Sequence, residues 1–162
     1  MSGFGFAVRV YYEDTDAGGV VYFANHLRFM ERARTEWLRG LGFGQSELRE
    51  RQGILFVVRS VAADYHRPAR LDDALLVESR LVALSRVVLR FEQAIRRGDE
   101  TLVTGRSEVI CVDASSLRPC RMPATLIAVL QGIAADAANP DRILRFQARR
   151  GTTPGPTLDD PP

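Results

Sequence analysis

Leu27-Arg28-Phe29-Met30-Glu31-Arg32-Ala33-Arg34-Thr35-Glu36-Trp37-Leu38-Arg39-Gly40-Leu41 is the segment on which the fold turns. Leu27, Met30, Ala33, Arg34, Trp37, Leu38 and Leu41 recur at spacings of three and four, which lines them along one face of an α-helix. Arg28, Glu31, Arg32, Glu36 and Arg39 supply polar positions; Asn25 or a neighbour starts the helix, and Gly40 and Gly42 end it. Upstream, Phe6 to Tyr12 alternates loosely among β-forming residues and runs into Glu13-Asp14-Thr15-Asp16-Ala17-Gly18-Gly19, a strand followed by a loop. Downstream, a short helix begins near Ser46, and from Ile54 the period changes to two. Val57, Val61, Ala63 and Tyr65 fall in one phase of this long strand, and Val58, Ser60, Ala62 and Asp64 in the other. His66-Arg67-Pro68-Ala69-Arg70-Leu71-Asp72-Asp73 breaks the strand with a proline and paired carboxylates. Strands resume near Leu75 to Leu84 and Val87 to Arg96, turn at Gly98-Asp99, and end with Thr101 to Val112. The order β-α-β-β-β-β predicts an α+β domain in which an antiparallel sheet covers the early helix.

The 162 residues, 46% hydrophobic and 26% charged, fit one globular domain of roughly 100–200 residues. That domain is read over residues 1–135, closing with a helix from Pro123 to Ala135. Residues 136–162, with Asn139-Pro140 and the run from Gly151 to Pro162, are expected to form a weakly ordered tail. No segment reaches the ~20 apolar residues of a membrane-spanning helix, so no span is expected. The start, Met1-Ser2-Gly3-Phe4-Gly5, has neither a basic n-region nor a cleavage site, which favours the cytoplasm. A net charge of +2 suits a phosphate-bearing ligand and lacks the dense Lys/Arg stripe of a nucleic-acid binder. Cys111 and Cys120 belong to no CxxC pair or zinc-ligand spacing and are read as buried or incidental thiols.

Chemistry concentrates in Tyr11-Tyr12-Glu13-Asp14-Thr15-Asp16-Ala17-Gly18-Gly19-Val20-Val21-Tyr22-Phe23-Ala24-Asn25, where an acidic loop meets a helix start. A carboxylate can attack a thioester carbonyl or deprotonate water, and unpaired N–H groups at a helix N-terminus can stabilise the oxyanion that forms. The helix dipole works in the same direction. The same residues also describe an ordinary connection whose carboxylates solvate a turn or cap a helix.

Val10-Tyr11-Tyr12-Glu13-Asp14-Thr15-Asp16-Ala17-Gly18-Gly19-Val20-Val21-Tyr22 closely resembles the signature of the 4-hydroxybenzoyl-CoA thioesterase family of hotdog proteins, and within it the Tol-Pal-associated branch. The resemblance continues through Phe29 to Leu38, Phe56-Val57-Val58-Arg59, Tyr65 to Asp73 and Cys111-Val112-Asp113, covering roughly residues 6 to 125. It implies a hotdog fold, a five-stranded antiparallel sheet wrapped around a long central helix. It further implies hydrolysis of acyl-CoA or acyl-carrier-protein thioesters without a metal or redox cofactor, CoA being part of the substrate. Asp16 corresponds to the catalytic carboxylate, Asp14 to a supporting acid, and the Phe23 backbone N–H to the oxyanion donor. Some members of the branch carry histidine where this chain has Phe23, so the resemblance implies no mechanism here that needs that imidazole. The resemblance also implies a homodimer with a continuous sheet and active sites at the subunit interface, often assembling into tetramers.

Around this centre, His26 can take a proton-transfer role or simply pack, and Tyr22 can line the acyl pocket or orient the motif. Arg67, Arg70 and Arg86 are candidates for the CoA phosphates, against the reading of each as a solvated surface arginine. Asp72-Asp73 reads as a turn and not a metal site. A non-catalytic acyl-CoA-binding or adaptor hotdog protein in cell-envelope or phospholipid metabolism is the alternative function. A hydratase or dehydratase ranks last, because the residues after Asp16 lack the Asp-x5-His or His/Glu arrangement those hotdog families resemble.

Overall fold

The computed structural model describes residues 3–137, so the tail expected from 136 onward lies outside them save for its first two residues, which belong to the final helix. Five strands and three helices follow in the order β1 (Phe4–Arg9), α1 (Phe23–Gly40), α2 (Gln45–Gln52), β2 (Ile54–Tyr65), β3 (Ala74–Leu84), β4 (Val88–Arg97), β5 (Glu100–Asp113) and α3 (Ala124–Ala137). A single 3-10 turn, Tyr12–Asp14, sits between β1 and α1. The strands form one antiparallel sheet in the order β1-β3-β4-β5-β2. Strand β2 therefore lies at the edge beyond β5, its outer side without a strand partner among the described residues.

Pairing defines the face that holds α1. Val77, Ile95, Val103 and Tyr65 form one row across it; Ser79, Gln93, Gly105 and Ala63 form the next; Leu81, Phe91, Ser107 and Val61 a third. Phe29, Met30 and Ala33 of α1 bury themselves on the first rows, in a core with Val10, Leu75, Val77, Ile95 and Val103. Leu38 joins a second core with Leu89, Phe91, Val109 and, from α3, Leu126 and Leu130. Phe29, Met30 and Leu38 each contribute on the order of 1.5–3 kcal/mol on burial, so the stripe rather than helix propensity holds α1 in place. A Cβ at position 105 would come within 2.9 Å of the Met30 sulfur, so glycine there lets the helix lie directly on β5.

A polar network fixes the helix on the sheet. Gln93 Nε2 donates to the Met30 carbonyl (2.9 Å) and to Ser79 Oγ (2.8 Å), while Arg34 donates to Gln93 Oε1 (2.6 Å) and Ser107 Oγ (3.4 Å). Burial lowers the Arg34 pKa from its ordinary value, although the Glu31 charge opposes that shift. On the opposite, solvated face, Glu108 joins Arg90 and Arg59, and Glu92 joins Arg80.

Two sequence expectations change. The alternation in β2 is broken by a bulge at Arg59, between Val58 and Ser60, so Val58 shares the helix-facing side with Val61, Ala63 and Tyr65 while Val57 faces the other way with Ile110. Helix α1 begins at Phe23, two residues before Asn25, and its buried face includes His26 and Phe29, which the three-and-four pattern did not include.

Candidate active site

The acidic loop is folded by its own backbone. Tyr11 N–H donates to Asp14 Oδ2 (2.9 Å), closing the 3-10 turn and leaving the Asp14 side chain buried. The Asp14 carbonyl accepts from Tyr22 N–H (2.9 Å) and from Asn25 Nδ2 (2.9 Å), which ties the loop to the first turn of α1. Asp14 thus organises the loop, and Asn25 anchors it instead of capping the helix.

Between these anchors the chain makes a tight hairpin. Asp16 N–H donates to the Val20 carbonyl (2.9 Å), and Gly19 N–H returns to the Asp16 carbonyl (3.0 Å). Gly19 has φ +73°, a left-handed conformation that glycine adopts without steric cost. Bridges from Thr15 to Val21 and from Val20 to Arg70, with Val21 N–H on the Ala69 carbonyl (2.8 Å), pin the hairpin to the segment before β3. Gly18 N–H donates to Asp16 Oδ1 (2.8 Å), which orients an otherwise exposed carboxylate. Oδ2 takes no hydrogen bond among the described residues.

The helix beside this loop starts open. Tyr22 occupies the N-cap position with no side-chain capping bond, and the N–H of Phe23 finds no acceptor among the described residues. An unfilled donor at the positive end of an 18-residue helix dipole is suited to an oxyanion. Tyr65, at the end of β2, donates its hydroxyl to the Phe23 carbonyl (3.1 Å) and meets the Phe23 ring edge-on at 6.2 Å. Tyr22, Phe23 and Tyr65 are 47%, 58% and 45% exposed, so the loop opens onto an aromatic surface. Tyr65 reaches this loop from 42 positions away, and nothing local in the sequence ties the two together.

His26 lies beneath that surface, 3% exposed, its ring edge-on to Tyr65 at 5.6 Å and to Phe29 at 6.1 Å. Nδ1 stands 3.3 Å from the Phe23 carbonyl, and Nε2 is buried without a partner among the described residues. Burial lowers its pKa below the ordinary 6.5, against a smaller opposing effect of the Phe23 hydrogen bond. Because the folded-state pKa is depressed, the unfolded chain takes up the proton first. The stability contribution is complete above about pH 6.5 and is lost as the pH falls below it. Melting curves between about pH 8 and pH 5 should show wild type losing more Tm than His26→Phe over the lower half of that range; parallel curves would remove His26 from this role.

The arginine candidates do not converge. Arg70 is beside the loop through its bridge to Val20, and Arg67 pairs with Glu100 at 2.9 Å. Arg86 lies in the β3–β4 turn, where its carbonyl accepts from Met122 N–H, at the end of the sheet away from Tyr65 and Phe23. Asp72-Asp73 forms a turn: Asp72 has φ +67°, and Asp73 Oδ2 accepts from Arg70 N–H (2.8 Å) and Arg97 (2.7 Å). No group of three metal-ligating side chains occurs among the described residues. A cleft of about 80 Å³ between the second half of α1 and the start of β2, lined by Arg34, Trp37, Phe56, Val58 and Phe91 among others, lies apart from the Asp16 loop.

A long helix wrapped by an antiparallel sheet in this order is the hotdog fold of thioesterases. The model of the Thioesterase-like superfamily matches residues 10–130, and the chain belongs to that superfamily. It is 48% identical over 122 residues, 75% of this chain and 90% of the relative, to the acyl-CoA thioesterase YbgC of Haemophilus influenzae. Identity with the acyl-CoA thioester hydrolase YbgC of Escherichia coli is 43% over 126 residues, covering 77% and 93% of the two chains. Among solved structures, a probable thioesterase from Bartonella henselae superposes with a TM-score of 0.71 at 38% identity, over 74% of this chain and 98% of that one.

Proposed function

We propose that this protein is an acyl-CoA thioesterase in which the thioester carbonyl rests on the Phe23 N–H and the Asp16 carboxylate does the chemistry. The observation that carries the reading is the exposed Asp16 carboxylate, oriented by Gly18 in a loop bonded through Asp14 to the uncapped first turn of α1. Two relatives more than 40% identical over most of this chain, both named for acyl-CoA thioester hydrolysis, support the same conclusion. As a nucleophile, Asp16 forms a mixed anhydride with the acyl group and expels CoA thiolate, and water then cleaves the anhydride. As a general base, it takes the proton of a water that attacks the carbonyl directly. In both, negative charge develops on the carbonyl oxygen opposite the N–H, where it is stabilised more than in the ground state. The reaction uses no metal or redox cofactor, and CoA enters with the substrate; an acyl carrier protein would present the same thioester. The aromatic surface of Tyr22, Phe23 and Tyr65 receives the acyl group or the adjoining pantetheine arm, and Arg70 or Arg67 holds phosphate.

The working unit is a homodimer. Among the described residues strand β2 has an unpaired outer edge, and Val58, Val61 and Tyr65 are nearly half exposed on its helix-facing side, in a strip that runs from the second half of α1 to its start. A second copy pairing along that edge would satisfy the free backbone groups and cover the apolar strip. Assembly to tetramers and placement in the Tol-Pal-associated branch rest on the Val10–Tyr22 motif.

Thiol release from short-chain, long-chain and aromatic acyl-CoAs tests the activity, with sedimentation of the same sample testing the dimer. Turnover of one class names the substrate. Tight binding of acyl-CoAs without turnover would install a sequestering protein in its place, and an active monomer would remove the dimer from the proposal.

A further inference from the structure

Cys111, at the end of β5, and Cys120, in the segment leading to α3, stand with their sulfurs 3.7 Å apart. They meet across a hairpin: Cys120 N–H donates to the Cys111 carbonyl (3.0 Å), and Val112 pairs with Pro119 in antiparallel fashion. Asp113 builds the intervening turn. Its Oδ1 accepts from Ser115 N–H (3.1 Å), Ser115 Oγ (2.9 Å), Ser116 N–H (2.8 Å) and Ser116 Oγ (2.9 Å), while Asp113 N–H donates to the Arg118 carbonyl (2.9 Å). These bonds hold the Asp113 carboxyl down to about 2, so the turn keeps its charge at ordinary pH. The Cys111 N–H bonds the Val87 carbonyl (2.8 Å), so the pair shares one backbone bond; residues opposite each other across antiparallel strands have Cα atoms about 4.5–5.5 Å apart, inside the roughly 4.4–6.8 Å that a disulfide spans.

We propose that Cys111 and Cys120 are a disulfide-forming pair, a modification site that reversibly staples the end of β5 to the segment carrying α3. Cys120 is partly exposed and Cys111 is buried, with burial and the neighbouring Cys120 sulfur pushing the Cys111 thiol up to about 12. Cys120 is therefore the attacking thiol. Its thiolate displaces one half of a small-molecule disulfide, forming a mixed disulfide and releasing one thiolate. Cys111 then attacks the Cys120 sulfur, its proton passing to the second departing thiolate, so that two cysteine thiols and one disulfide give the protein disulfide and two small thiols. The product fixes the hairpin beside Met122, Leu126 and Leu130, the side chains that seat α3 on the second core. Neither sulfur has a part in the proposed thioester chemistry.

The test is titration of the full chain with glutathione disulfide, reading free thiols by alkylation and mass, and Tm before and after reductant. Wild type should lose both thiols together with two hydrogens of mass, yield a cross-linked 111–120 peptide, and melt about 5–10 °C higher, reversibly. Cys120→Ser should keep an unreacted Cys111 and show no shift. Retention of both thiols, arrest as a glutathione adduct on Cys120, or disulfides only between chains would each overturn the proposal.

Discussion

Asp16→Asn is expected to lower kcat/KM for acyl-CoA hydrolysis by at least about a hundredfold, the low end of acid–base contributions, with Tm unchanged. Asparagine keeps the Oδ1 acceptor that takes the Gly18 N–H, so the hairpin from Asp16 to Val20 survives the exchange. What disappears is the negative oxygen needed either to attack the carbonyl or to take a proton from water. Position 16 is exposed and contributes no apolar burial, so lost activity cannot be ascribed to lost fold. The contrast is Asp14→Asn: that carboxylate is buried and bonded to Tyr11 N–H, and its replacement should appear first as reduced stability. Equal activity of wild type and Asp16→Asn in initial-rate assays would place the catalytic group elsewhere.

Phe23→Pro removes the other half of the proposed chemistry, and the fold should tolerate it. Proline lacks the backbone N–H and fixes φ at about −65°; at the first position of a helix that φ is helical and that donor has no partner within the helix. Tyr22, at φ −57° and ψ 131°, already has the extended conformation that a following proline requires. Removal of one oxyanion donor should therefore reduce kcat by about 10²–10³ while circular dichroism and Tm stay near wild type. Because the exchange also removes an aromatic ring that meets Tyr65, Phe23→Ala is the control; it should raise KM with a much smaller effect on kcat. If proline and alanine variants have the same kcat, the N–H is not the oxyanion donor.

Much of this site was legible in the chain because it is local. Asp14, Asp16, Gly18, Gly19, Tyr22 and Phe23 lie within ten residues, and their hairpin closes through bonds among near neighbours. Asn25 and His26 were less readable. As a helix start, Asn25 suggested a cap, yet its amide reaches back to the Asp14 carbonyl, a partner defined only once the loop has folded. His26 fell outside the hydrophobic pattern because histidine is not counted as apolar, although the fold buries it almost completely.

Local order along the chain set the period-3.6 stripe of α1, the succession of strands after it and the acidic loop before it. These features depend on residues close enough in sequence to act on one another before any distant contact forms. Tertiary structure decided the rest. A bulge at Arg59 exchanged the faces of Val57 and Val58, since one extra residue on one strand inverts a period-two pattern. The sheet order placed β2 at an edge and brought Tyr65 onto the Phe23 carbonyl. It also set Arg86 apart from Arg67 and Arg70, which residue type alone had grouped. The Asp113 turn carried Cys120 onto Cys111, a meeting that their nine-residue spacing did not announce. Each of these depends on register and turn geometry, which are settled only when strands distant in the chain pair and their side chains compete for the same buried face.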